Sequence, residues 1–218
     1  MNISKENLVE EIKMYLSHIR VAHDYYIARK TLVNSVNSKE FNGIINMAPA
    51  FFSATLNALF DSLQLELSKL YCDTQKNEKT LNKLINIAEA NANLFPMEVV
   101  YGANVEDAEN SEFEIKKINI KNDLSRAKKD LEELKPIIEN LNTRRDKKIA
   151  HNDKKYFLCP REKIYIDTPL TMSELHALIC FAGDFCNKLL CYLNESIIGY
   201  NCFYTEDLKN LLEKTSHN

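Results

Sequence analysis

The stretch FFSATLNALFDSLQLELSKLYCD, residues 51–73, decides the fold. Its apolar side chains recur every three or four residues, the spacing that places them on one face of an α-helix. This face consists of Phe52, Leu56, Leu59, Leu63, Leu67 and Leu70. We predict that it forms the centre of a helical core. The helical segment covers residues 39–71 and is offset at Pro49, because proline removes a backbone donor and crowds the preceding turn.

Helical patterns flank this segment on both sides. Ser4 is placed to cap a first helix whose apolar positions are Leu8, Ile12, Tyr15, Ile19, Ala22 and Tyr26. A shorter helix is predicted over residues 80–94, closed by Phe95 and Pro96. Helical periodicity returns over residues 115–151, with Pro136 marking either a kink or the first turn of a new helix.

Two further helices are predicted towards the C-terminus. Thr171 and Glu174 form a capping box ahead of an apolar helix that runs to about Glu195. Thr205 is expected to cap a small last helix that ends at Leu212.

The remaining segments are predicted to be non-helical. Residues 101–112 are polar and acidic, which indicates a loop. Residues 154–170 contain too many prolines and β-branched side chains for a helix, so we expect a short irregular or hairpin insertion there. The fold predicted from these patterns is an all-α bundle of long helices, in a single domain over residues 1–218.

Composition excludes several classes of protein. Hydrophobic residues make up 45% of the 218 residues and charged residues 27%, which is typical of a soluble globular chain and not of a disordered one. The longest apolar stretch, residues 47–60, is interrupted by polar side chains and is too short to span a bilayer. We therefore expect a cytosolic protein without membrane association.

The cysteines and histidines do not form a recognisable metal site. The cysteines contain no CxxC pair, so we expect small buried side chains at Cys72, Cys159, Cys180, Cys186, Cys191 and Cys202. The Glu-x-x-His pairs with which helical bundles hold two iron ions are missing from the sequence. No metal and no cofactor are predicted.

Positive charge is concentrated in and before NTRRDKKIAHNDKK, residues 142–155, which we call the Arg-His segment. Residues 116–155 contain 13 Lys and Arg against 7 Asp and Glu, whereas the whole chain has a formal net charge of -3. A local basic stripe attracts phosphate groups, while the acidic remainder limits nonspecific adhesion. A charge run alone is more often a solvated helix face.

The Arg-His segment places arginines six and seven positions before a histidine, with a polar residue directly after the second arginine. Together with residues 51–73 and the stretch TLNKLI at 80–85, it resembles the HEPN superfamily, and within it the AbiU-type abortive-infection proteins. The resemblance implies a HEPN-like helical bundle. It also implies a metal-independent endoribonuclease of phage defence or of a toxin-antitoxin pair, which acts as a homodimer.

In this resemblance the catalytic residues are Arg145, Asp146 and His151. Arg144, Lys147 and Lys148 are expected to bind RNA phosphates. The 2′-hydroxyl of RNA supplies the nucleophile, so the protein has to move protons and stabilise charge on phosphorus. Histidine exchanges protons near neutral pH, and arginine offers a fixed fork of donors. RNA, a second copy of the chain, and an antitoxin or defence-system protein are the expected partners.

Two alternatives stay open at this stage. On an ideal helix Arg144 shares a face with His151, whereas Arg145 is turned away by about 120°. The arginine that meets the histidine is therefore either Arg145, as the motif indicates, or Arg144. The chain could also be a noncatalytic module that binds RNA or assembles with a protein, with His151 as an ordinary helix-end residue.

Overall fold

The computed structural model describes residues 3–38, 42–72, 79–102, 113–149, 162–199 and 204–216. In this part of the chain the helices are α1 (Lys5–Asn37), α2 (Asn42–Met47), α3 (Pro49–Tyr71), α4 (Leu81–Ala90), α5 (Ile120–Glu133), α6 (Lys135–Arg144), α7 (Glu162–Asp167), α8 (Met172–Tyr192) and α9 (Tyr204–Ser216). A 3-10 turn covers Ala92–Leu94, and a π turn covers Arg145–Ile149. The fold is an all-α bundle, as predicted.

The N-terminal helix forms as its sequence pattern predicts. The backbone N–H of Asn7 donates to the side chain of Ser4 (3.2 Å), which satisfies one of the free donors at the start of α1. The six predicted apolar positions of α1 are all buried. Each buried Leu or Ile side chain of this face contributes about 1.5–3 kcal/mol when it leaves water, so this face anchors the bundle. It packs against α3 and α8.

The second helical segment is divided where proline was expected to divide it. α2 ends at Met47 and α3 begins at Pro49, where the missing N–H costs no helical hydrogen bond. Only the second half of the predicted central stripe is fully enclosed, at Leu63, Leu67 and Leu70. The first half is partly exposed, and Phe52 packs into a small separate cluster around Ile45 and Leu212. The prediction of a continuous core stripe was wrong for this half.

The regions expected to be irregular contain regular structure. Antiparallel strands β1 (Glu98–Gly102) and β2 (Phe113–Lys117) pair with each other, so helix does not begin at residue 115 but at Ile120. Pro136 lies in the first turn of α6, which decides between the kink and the new helix. Residues 103–112, the centre of the predicted loop, lie outside the described residues.

The insertion expected over residues 154–170 is a helix in its described part, α7 at Glu162–Asp167. Ile164 is buried, and the Thr168 hydroxyl donates to its carbonyl (2.5 Å), so this end is fixed by packing. Tertiary contacts here override the β preference of the sequence, and the hairpin prediction was wrong for these residues. Residues 154–161 lie outside the described part.

The C-terminal helices combine one confirmed cap with one corrected cap. The backbone N–H of Glu174 donates to the Thr171 hydroxyl (3.1 Å) and the backbone N–H of Thr171 donates to the Glu174 carboxylate (2.6 Å), which completes the capping box of α8. The last helix already includes Tyr204, so Thr205 lies inside α9 and does not cap it. Among the described cysteines, Cys72 and Cys186 are buried as predicted, whereas Cys180 is exposed.

Candidate functional site

The Arg-His segment starts at the end of α6, where the helix widens. The last α-helical residue is Arg144, and Arg145–Ile149 form a single π turn. A π turn bonds residues five apart instead of four, so consecutive side chains project in directions that an ideal α-helix does not allow. Such turns are rare and occur frequently at functional sites. The backbone is therefore unusual at the same residues that the sequence motif selects.

Arg144 points into the protein. Its side chain connects α6 to α3 and α7: Nε donates to the Thr168 carbonyl (2.7 Å) and hydroxyl (3.2 Å), and Nη1 donates to Oε1 of Gln64 (3.3 Å). The guanidinium also lies over the rings of Tyr165 (4.9 Å) and Phe60 (5.8 Å). Burial lowers the pKa of Arg144, while Tyr165, Asp61 and Glu174 oppose that shift.

The prediction that Arg144 binds RNA phosphate does not agree with this position. Its residue surface is 2% exposed, and its donors face acceptors of the interior. An arginine that is held in this way cannot reach a phosphate at the surface without breaking the contacts between α3, α6 and α7. We interpret Arg144 as a structural residue that joins these three helices.

Arg145 is held at the surface by acceptors from two different segments. Nε and Nη2 both lie close to Oδ1 of Asp146 (2.8 and 2.7 Å), and Nη2 donates to Oδ1 of Asn142 (2.6 Å). Nη1 donates to the carbonyl of Cys72, just after α3 (3.4 Å). The side chain is 11% exposed. Arg145 and Asp146, which are neighbours in the sequence, are thus also in contact through their side chains.

The sequence reasoning missed two of these acceptors. Asn142 lies one turn before Arg145, and a helical spacing of three residues is the pattern that could have indicated it. The carbonyl of Cys72 carries no sequence pattern, because it depends on how the end of α3 meets the π turn. A guanidinium has five N–H donors, and three of them donate to Asp146, Asn142 and the Cys72 carbonyl. A phosphate that is to receive parallel bonds from Nε and Nη2 of Arg145 must therefore displace Asp146.

The other predicted site residues are only partly described. Lys147 is exposed on the π turn. Lys148 belongs to the same turn, but its side chain lies outside the described residues. His151 also lies outside them, so the choice between Arg144 and Arg145 as its neighbour rests on the direction of the two arginines alone.

Positive charge is less evenly spread than the count over residues 116–155 indicates. Helix α5 has four basic and four acidic residues, and several of its charges pair within the helix or with neighbouring helices, as in Arg126–Asp130, Lys128–Glu89 and Lys188–Asp123. From α6 to the end of the π turn there are five basic and two acidic residues. The excess positive charge therefore lies at the end of α6, beside Arg145.

A cleft of about 340 Å³ opens on the same helix, before the π turn. Its wall combines apolar side chains of α3 and α6 with charged residues; the lining includes Leu70, Tyr71, Asn82, Lys128, Leu131, Glu132, Lys135 and Ile138. The lysines there are already paired, since Lys128 contacts Glu89 (2.6 Å) and Lys135 contacts Glu132 (2.8 Å). The hydrogen bond to Glu132 raises the pKa of Lys135. The two lysines of this cleft are therefore not open to a phosphate unless a carboxylate is displaced.

The described ranges contain neither a metal-binding cluster nor a membrane-spanning helix. Across them, no three His, Cys, Asp or Glu side chains lie close enough together to hold a metal ion. None of the helices in the described ranges has both the length and the apolar character to cross a bilayer.

Comparison with known proteins places the chain in a family. A family model described as HEPN_AbiU2, AbiU2, matches residues 4–212. The chain belongs to the AbiU2 family of HEPN proteins. No match was found among curated proteins or among solved structures.

The AbiU2 match extends from the cap of α1 into α9, so it includes all of α6 and the π turn. The resemblance inferred from residues 51–73, 80–85 and the Arg-His segment is thereby confirmed. In this AbiU2 chain, the side chain of Arg145 keeps 11% of its surface exposed, while its neighbour Arg144 is buried and holds the helices together.

Proposed function

We propose that this chain is a metal-independent endoribonuclease of the HEPN type, which acts in phage defence or as the toxin of a toxin-antitoxin pair. One observation carries the proposal. Arg145 is fixed at the start of a π turn by Asp146, Asn142 and the Cys72 carbonyl, next to the largest local excess of positive charge. A guanidinium oriented in advance is what stabilisation of a phosphorane-like transition state requires.

The chemistry follows from the residue types. The 2′-hydroxyl of RNA attacks the adjacent phosphorus and the 5′-oxygen leaves, so one proton is removed and one is delivered. His151 is the residue assigned to proton transfer, which is worth roughly 10²–10⁴ in rate. Arg145 is assigned to the charge that develops on the phosphate oxygens. Asp146 accepts a hydrogen bond from Nε of Arg145, with Nη2 close to the same oxygen, and so fixes the plane of the guanidinium.

Each chain supplies one Arg145 and one His151. A symmetric dimer would bring two copies of the pair to a shared cleft, and we propose that arrangement for the active form. RNA is the proposed substrate. An antitoxin or a defence-system protein is the proposed partner that keeps the activity in check.

A noncatalytic RNA-binding or protein-assembly module is the second candidate. The observation in its favour is that Arg145 is only 11% exposed and uses most of its donors within its own chain. A guanidinium in that state could serve to shape the end of α6 instead of binding a reacting phosphate. The RNA-binding form of this candidate differs from the ribonuclease in turnover and not in affinity for RNA, whereas the protein-assembly form lacks both.

The deciding experiment is incubation of the purified protein with total RNA in the presence of a chelator. Wild type should cut RNA to 2′,3′-cyclic phosphate and 5′-hydroxyl ends, whereas His151→Ala should lose most of the activity. His18→Ala is the matched control, because His18 is paired with Glu66 (3.1 Å) and is not part of the motif. Equal cleavage by His151→Ala and wild type would exclude the proposed mechanism. RNA binding without cleavage by wild type would favour the second candidate.

A further inference from the structure

The cleft of about 340 Å³ that is lined by α3, α4, α5 and α6 has the size and the lining of a small-molecule site. Sites for small ligands measure about 300–1,000 Å³ and combine apolar walls with a few polar groups. Here Leu70 and Tyr71 supply buried apolar surface. The half-buried Leu131 and Ile138 add to it from α5 and α6.

Two separate helices connect this cleft to Arg145. On α3, Tyr71 lines the cleft, and the next residue, Cys72, provides the carbonyl that accepts from Nη1 of Arg145 (3.4 Å). Neighbouring Cα atoms are about 3.8 Å apart, so a single peptide unit separates the cleft from this contact. On α6, Ile138 lines the cleft seven residues before Arg145, which is about two helical turns, so both lie on one face of the helix. One ligand can therefore place one group at Arg145 and another in the cleft.

The polar side chains of the cleft favour an uncharged group as its occupant. Each lysine is matched by a carboxylate, Lys128 by Glu89 and Lys135 by Glu132. Asn82 differs from them, because its exposed side chain makes no hydrogen bond to the described protein. A primary amide offers two donors and a carbonyl acceptor. The cleft thus combines apolar surface with an amide that is open to a ligand.

A nucleobase has the chemistry that matches this lining. Its flat face packs against apolar and aromatic side chains, and its edge carries hydrogen-bond donors and acceptors. Proteins recognise single-stranded RNA mainly through bases that are turned out of the stack. A phosphate at Arg145 brings the base of an adjoining nucleotide next to the cleft.

We propose that this cleft binds one nucleobase of the RNA whose backbone phosphate lies at Arg145, and that the amide of Asn82 reads the edge of this base. The identity of the ligand as RNA rests on the proposed function. Asn82 has no part in the chemical step. Its role appears in the choice among bases, and so in the sequence at which RNA is bound.

The test compares the binding of four 2′-O-methyl homopolymers, of A, C, G and U, which cannot be cut through the 2′-hydroxyl. Wild type should bind the preferred homopolymer roughly 5–150-fold more tightly than the least preferred one, the range for an amide paired with a base edge. Asn82→Ala should lose most of this discrimination, whereas Arg145→Ala should weaken the binding of all four. Asn93→Ala, at an exposed asparagine of a second cleft of about 240 Å³, is the matched control and should discriminate as wild type does.

A second measurement uses the wild-type protein, so that it does not depend on how a variant folds. Ultraviolet irradiation with the preferred oligonucleotide should crosslink a base to the lining of the cleft, at Asn82, Leu131 or Ile138, as read by mass spectrometry. Equal discrimination by wild type and Asn82→Ala, or crosslinks that all lie away from the cleft, would overturn the proposal. If wild type discriminates bases through Asn82 but does not cut RNA, the ribonuclease assignment fails and the base site stands. If wild type cuts RNA and Asn82→Ala keeps the full base preference, the reverse holds.

Discussion

Arg144→Met should destabilise the fold by about 2–4 kcal/mol while leaving the proposed RNA site in place. The substitution keeps an unbranched side chain but removes the guanidinium that donates to Thr168 and Gln64. Both acceptors lie in the interior, where Thr168 is 4% and Gln64 1% exposed. Each buried acceptor left without a donor costs about 1–3 kcal/mol. The substitution also removes a charge whose burial is unfavourable, which offsets part of this loss of stability.

The measurement is urea unfolding followed by circular dichroism, with a thermal scan beside it. The midpoint should fall with an unchanged slope, because the surface exposed on unfolding stays similar. The melting temperature should fall by about 5–15 °C for a chain of this size. Arg126→Met, at a side chain that is 81% exposed, should stay within about 0.5 kcal/mol of wild type. A stability loss for Arg144→Met as small as that of Arg126→Met would refute the structural role of Arg144.

Three further predictions address the site and the pH response. Arg145→Lys keeps the charge but loses the planar fork that contacts Asp146, Asn142 and the Cys72 carbonyl, so its cleavage rate should be close to that of Arg145→Ala; near-normal activity would contradict oriented phosphate contacts. Asn142→Ala removes the 2.6 Å acceptor of Arg145 and should lower turnover more than RNA affinity, whereas Asn142→Asp keeps an acceptor and should restore part of it; equal turnover in Asn142→Ala and wild type would dismiss this contact. Burial lowers the pKa of His23, while Asp24 opposes this shift and His176 adds to it. The unfolded chain therefore takes up a proton at higher pH than the folded chain, and the free energy of unfolding should fall as the pH drops below about 6.5. Thermal scans between pH 7.5 and 5.5 should show a smaller drop for His23→Gln, and an identical drop would exclude His23 as a source.

Local patterns predicted the fold where their physical cause is local. The Ser4 cap, the buried stripe of α1 and the Thr171–Glu174 box depend on residues within one or two helical turns, and all three are present. Helix α7 depends on distant contacts instead. The end of α7 is tied to α6 by the hydrogen bond from Arg144 to the Thr168 carbonyl. The sequence pattern does not show this contact, and the β-branched side chains of the segment therefore indicated a non-helical structure.

The family was predictable from the sequence, whereas the geometry of the Arg-His segment was not. The motif selected Arg145 and Asp146, which the structure brings into contact. It could not show that Arg144 faces inward, because the side of a helix that meets the core is decided by packing against α3 and α7. An ideal helix was also the wrong reference, since the segment after Arg144 is wound as a π turn.

The π turn at Arg145–Ile149 changes what the spacing between arginine and histidine means. A π turn takes up one residue more than an α turn, and one residue of an α-helix corresponds to about 100° around its axis. Deleting a residue here would restore α winding without breaking the chain, and the segment after the turn would keep its direction relative to the arginine. Related sequences could therefore tolerate a motif that is one residue shorter or longer if the winding of this turn changes with it. In such a segment, a change in the number of residues between the arginine and the histidine is compensated by a change in the helical winding. The two side chains can then keep the same relative position without a fixed sequence spacing.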